Sequence, residues 1–113
     1  MTDLVQVTTT VDSAHAAAEL AKSVVSARLA ACAQVVGPIS SVYWWQGTLQ
    51  HDHEHQIVFK TTRERYPALE AHLRAEHSYE EPEIVAVPIV TGSTGYLAWI
   101  ENETQASRID PLR

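Results

Sequence analysis

The sequence has a single cysteine, Cys32, which cannot close a disulfide within its own chain, so burial and hydrogen bonding must hold the fold. It is also poor in basic charge. Eight Lys and Arg against fourteen Asp and Glu give a net charge of −6, which excludes the clustered cationic surface that binds nucleic-acid phosphates. No apolar run approaches the roughly 18 residues of a membrane-spanning helix, and Met1-Thr2-Asp3-Leu4 has neither the basic nor the apolar part of an export signal. Repeats and low-complexity tracts are also lacking. These absences lead to the expectation of a cytoplasmic protein with no nucleic-acid or membrane partner. With 113 residues, 45% of them hydrophobic, one core is affordable: a single domain over 1–113, its tail from about 104 to 113 frayed.

What is present reads as alternating elements. Leu4 to Thr9 alternates around Val5 and Val7 and predicts a strand. Asp12 is the expected N-cap of a helix over Ser13 to Leu29, where Ala17, Leu20, Ala21, Val24 and Ala27 recur at helical spacing. Cys32 to Val36 and Ile39 to Trp45 read as one long strand bent at Gly37-Pro38, and Gly47-Thr48 as the turn of a hairpin returning through Gln56 to Thr61. Thr61 and Glu64 have capping-box spacing, so a second helix starts between Arg63 and Pro67 and reaches about His77. Ile84 to Val90 predicts an edge strand marked by Pro88, and Tyr96, Trp99 and Ile100 a short terminal helix. The order β-α-β-β-α-β is the α+β, ferredoxin-like split βαβ arrangement. Helices on one face leave the other face bare, and Tyr43, Trp44, Trp45 and Trp99 are read as interface aromatics awaiting a further copy of the chain.

Separated motifs add a resemblance. Thr8-Thr9-Thr10, Leu29-Ala30-Ala31-Cys32, Ser41-Val42-Tyr43-Trp44-Trp45-Gln46-Gly47, Lys60-Thr61, His77-Ser78-Tyr79-Glu80-Glu81-Pro82-Glu83-Ile84 and Tyr96-Leu97-Ala98-Trp99-Ile100 together resemble the CutA divalent-cation tolerance family over nearly the whole chain. The resemblance implies a ferredoxin-like subunit, a homotrimer in which the long hairpins pair between subunits, and an architecture similar to PII-type signalling proteins. It also implies tolerance of divalent metal, copper above all. Ser78 departs from the family's proline at that position, and the run His51-Asp52-His53-Glu54-His55 is not a family feature.

With metal implied, the soft and borderline donors matter most. Cys32, His77 and Glu83 form the candidate metal set, since thiolate and imidazole suit copper or zinc, and a threefold axis could gather equivalents from three chains. Cys32 reads more readily as a small buried hydrophobe than as a ligand, and His77 equally as a helix-end residue stabilised by the dipole. Lys60, Tyr79 and Tyr96 are the expected polar groups of an intersubunit cleft. His51, His53 and His55 alternate, so on a strand they share one face and become a secondary metal-capture candidate, or else a solvated hairpin tip.

The leading expectation is a non-enzymatic trimer that binds divalent metal, with copper first and no cofactor required. The alternatives are a PII-like sensor of small molecules or anions at subunit boundaries, and a trimeric structural interaction module. An enzyme with His77 as base and Glu83 as its orienting carboxylate ranks below these, because no nucleophile, phosphate loop or paired zinc motif accompanies them.

Overall fold

The computed structural model describes residues 3–105. Its elements are β1 (Leu4–Val11), α1 (Ala14–Ser26), β2 (Cys32–Trp45), β3 (Thr48–Thr62), α2 (Tyr66–Glu76), β4 (Val85–Pro88) and α3 (Thr94–Glu103). The four strands form one antiparallel sheet in the order β2-β3-β1-β4, as the split βαβ pattern requires.

Side-chain alternation on β1 divides the sheet into two faces. Val5, Val7 and Val11 join Ile57 and Phe59 of β3 beneath α1 and α2, which contribute Ala17, Leu20, Val24, Leu69 and Leu73 to the main core. Leu4, of opposite parity, packs on the other face with Ala31 and Ile100, so α3 covers that face only at the end where β1 begins. Thr61 is fully buried, and its hydroxyl donates to the Leu29 carbonyl at 2.8 Å, fixing the connection between α1 and β2 to the sheet.

Helix ends fall one to three residues from their expected places. Ser13, rather than Asp12, is the N-cap of α1: its extended backbone lets Oγ accept from the Ala16 amide at 3.0 Å. The helix stops at Ser26, not Leu29, because Arg28 turns left-handed at φ 62° and the Leu29 and Arg28 amides fold back onto the Val24 and Val25 carbonyls. Glycine is the usual residue there; here the Arg28 side chain instead anchors on Glu103 at 2.7 Å, tying α1 to α3. The Thr61–Glu64 capping box does not form, since the Thr61 hydroxyl is committed to Leu29 and Thr62 accepts the Arg65 amide.

The hairpin turn is Gln46-Gly47, both at positive φ, the two-residue geometry whose twist matches antiparallel strands. At Gly37-Pro38 the strand carries an extra residue, so Val36 pairs with Gln56 but Ile39 with Glu54. The last strand is shorter than expected, ending at its edge position with Pro88. The expected fraying does not begin at Thr104, which is buried: its hydroxyl donates to the Ile100 carbonyl and its own carbonyl accepts from Arg65; the rest of that expectation, residues 106–113, lies outside the described residues.

Phe59 is the largest fully buried side chain and stands on the central β3. Phe59→Ala is expected to destabilise the fold by about 3–5 kcal/mol. Urea denaturation of both proteins at one concentration measures this, and an unchanged midpoint would contradict the core as described.

Candidate functional site

Polar groups gather in two places, both referable to β1. Opposed residues in an antiparallel sheet share a face, so Cys32, Lys60, Gln6 and Val87 form one row across the face turned away from α1 and α2. Over this row lies α3. Cys32 Sγ is 3.7 Å from the Tyr96 hydroxyl, the Lys60 ammonium stands 6.0 Å from the Tyr96 ring centroid and donates to Gln34 at 2.9 Å, and Trp99 packs beside Tyr96 at 5.5 Å. The hydrogen bond with Cys32, aided by partial burial, holds the Tyr96 phenol above its ordinary pKa.

The second gathering lies at the far end of β1. Thr10 is four residues beyond Gln6, about 13 Å along a strand. Its carbonyl meets Nε2 of His77 at 2.8 Å, while Nδ1 of the same ring faces the Tyr79 amide at 3.1 Å. A carbonyl only accepts and an amide only donates, so Nε2 carries the proton and Nδ1 accepts. Both ring nitrogens are thereby engaged, and His77 acts as a clip between the end of α2, the edge of the sheet and the loop that follows.

That loop, Ser78 to Glu83, forms one wall of an open cleft of about 720 Å³, with Ser41, Tyr43 and Trp45 of β2 on the other side. Glu54, Glu80, Glu81 and Glu83 line it, and neither lysine nor arginine is among its lining residues. Glu54 lies at the bottom, 6% exposed, and accepts a 2.9 Å hydrogen bond from the Tyr79 hydroxyl. Tyr43 donates to the Asp52 carboxylate across the two strands. Burial first, then the hydrogen bond and negative charge of Glu54, pushes the Tyr79 phenol far up; for Tyr43 the Asp52 hydrogen bond is the larger cause. The cleft is therefore built to hold phenols protonated beside carboxylates, an environment that favours cations and disfavours anions.

The sequence-predicted residues are thus divided. Lys60, Tyr96 and Cys32 come together; His77, Tyr79 and Glu83 belong to the other end, with Tyr79 and Glu83 lining the cleft. Among the described residues no three His, Cys, Asp or Glu side chains converge as a metal-holding group within one chain. His51 and His53 are exposed neighbours on β3 with ring centroids 6.1 Å apart, whereas His55 is half-buried against Gly37. Glu54 was not among the residues expected at a site. In a His-Asp-His-Glu-His run it reads as one more polar tip residue, and only the extra residue in β2 and the overlying loop carry it inward.

The family model described as CutA1 divalent ion tolerance protein matches residues 5–103. The chain is 42% identical over 95 residues to the divalent-cation tolerance protein CutA of Thermus thermophilus, covering 84% of this chain and 92% of that protein. It is 43% identical over 98 residues to the chloroplastic protein CutA 1 of rice, covering 87% of this chain but 55% of the relative, so it spans about half of that plant protein. The crystal structure of CutA1 from Oryza sativa superposes with a TM-score of 0.90 at 40% identity over 93% of this chain and 96% of that one.

The raised Tyr79 phenol gives a pH dependence of known sign. Between about pH 10, where an unfolded tyrosine ionises, and the higher pKa of the folded state, the unfolded chain releases a proton that the folded chain keeps. Stability is full below that range and falls as pH rises through it. Tyr79→Phe is expected to make the fall shallower above about pH 10 in urea titrations. Equal slopes in the two proteins would show that burial and the Glu54 hydrogen bond do not hold the phenol protonated.

Proposed function

This chain belongs to the CutA1 divalent ion tolerance protein family, and on that premise we propose that it works as a homotrimer that binds a divalent cation, copper first, in metal tolerance or response. The observation that carries this reading is the division of donors just described. Cys32 lies in the row of Gln6 and His77 against Thr10, positions about 13 Å apart along β1, and no three-ligand group forms among the described residues of one chain. A cation site made from Cys32, His77 and Glu83 therefore needs more than one copy, and His77 would have to give up its contact with Thr10 or with Tyr79 to join it.

The surface favours such an assembly. Val42, Trp44 and Leu49 on the long hairpin are 63%, 72% and 57% exposed, and Val36, Val85 and Val87 on the open sheet face about half exposed, which is costly apolar area for a lone chain. Threefold closure is the simplest way for three such hairpins to cover one another's sheets. We place the chain in a reducing cytoplasm, where an unpaired thiol such as Cys32 persists. The family is named for tolerance and not for a reaction, and we assign no catalytic residue.

The open cleft favours a second reading, a sensor of a small molecule held between subunits. Of the small molecules or anions that the sequence reading allowed, a cleft lined by four carboxylates, with only Glu81 of them facing an arginine, Arg74 at 3.7 Å, suits an organic cation better than an anion.

Sedimentation is expected to give three times the chain mass, and copper titration by calorimetry to lose affinity in Cys32→Ala and in His77→Ala. Unchanged stoichiometry and affinity in both variants would remove these residues from the site. A small molecule at a hundred times its dissociation constant should add about 2.7 kcal/mol of stability, so thermal-shift screening separates the sensor reading from the metal one.

A further inference from the structure

The hairpin histidines remain outside both gatherings. Alternate residues of a strand point the same way about 6.7 Å apart. His51 and His53 do so in β3, both exposed, their rings tilted by 30° with centroids 6.1 Å apart. We propose that these two side chains form a two-imidazole chelate for a borderline transition cation of the Zn²⁺, Ni²⁺ or Cu²⁺ class, a site distinct from Cys32, His77 and Glu83.

Bond length sets what is required. Zinc binds imidazole nitrogen at about 2.0–2.1 Å, so two nitrogens must close to within roughly 3.5 Å of each other. Exposed rings can turn to reach that separation without disturbing the core. Their cross-strand neighbours on the same face are Val42 and Ser40, neither of which brings a positive charge against the metal. Val42 is also one of the apolar side chains that the proposed trimer covers, so the chelate requires the His51–His53 stretch of that face to stay open in the assembly. Asp52 belongs to the opposite face and is engaged by the Tyr43 hydroxyl, so it does not compete for the rings. His55 has the same parity but takes no part: its ring packs on Gly37 so closely that a Cβ there would lie 2.5 Å from it, and its Nδ1 is buried without a partner. Imidazole selects zinc, nickel and copper over magnesium and calcium, which prefer oxygen. Two protein donors leave the remaining positions to water.

The test uses the whole assembled protein, titrated with zinc chloride in a buffer free of chelators. The strongest zinc site is expected to weaken by at least about tenfold in His51→Gln and in His53→Gln, and to persist in the Cys32→Ala/His77→Ala double variant. Magnesium should not compete. Both histidines are exposed, so the variants should keep the wild-type circular dichroism spectrum. As a second readout, Ni²⁺ should broaden the ring resonances of His51 and His53 together. An unchanged zinc isotherm in the histidine variants, or rings unaffected by nickel because a neighbouring copy covers them, would overturn the chelate. Loss of zinc only in the Cys32→Ala/His77→Ala variant would overturn it as well while supporting the shared site, and the converse result would support the chelate alone.

Discussion

The strands differ in length, and most of the molecule follows from that mismatch. β1 has eight residues and ends at Val11 opposite His55, whereas β2 and β3 have 14 and 15. Beyond that point the two long strands have only each other, and a ribbon of two strands with no layer beneath it cannot bury its side chains. Val42, Trp44 and Leu49 are exposed for this reason and not because their hydrophobicity is misplaced. The same overhang gives the cleft its second wall, since the loop after α2 lies against the ribbon just where β1 runs out.

Within the compact part, hydrogen bonds from side chains to the main chain do much of the positioning. Thr61 holds the segment before β2, His77 holds the loop after α2, and Arg28 with Glu103 holds α1 to α3. Each joins pieces far apart in the chain, so removing one partner leaves a half-buried polar group unsatisfied. His77 is the clearest case. A residue that looks like a free ligand beside Tyr79 and Glu83 in the sequence has both nitrogens occupied in the fold, and its role within one chain is to place Tyr79 over Glu54.

Electrostatics then separates the two gatherings. The Cys32 end keeps a cation, Lys60, near a phenol and a thiol; the Tyr79 end collects carboxylates around a buried Glu54. The open cleft of a chain with net charge −6 thus has four carboxylates and neither lysine nor arginine among its lining residues. Membership of a divalent ion tolerance family agrees with a surface of that sign.

The element order and the family were legible in the sequence, because a strand such as Leu4 to Thr9 and a helix such as Ala14 to Ser26 write their own periodicity, and the motifs from Thr8 to Ile100 recur as a set. Local hydrogen-bonding choices were less so: Asp12 and Ser13 are both good caps, Thr61 and Thr62 both fit before α2, and the winner depends on which side-chain oxygen the rest of the fold needs. The site was the least legible. That Cys32 meets Tyr96 across 64 residues, that Glu54 turns inward while His51 and His53 stay in solvent, and that His55 closes over Gly37 are consequences of sheet register and one extra residue in β2. Register fixes which face every side chain takes, and it is set by pairing between distant segments, so only the tertiary structure could decide it.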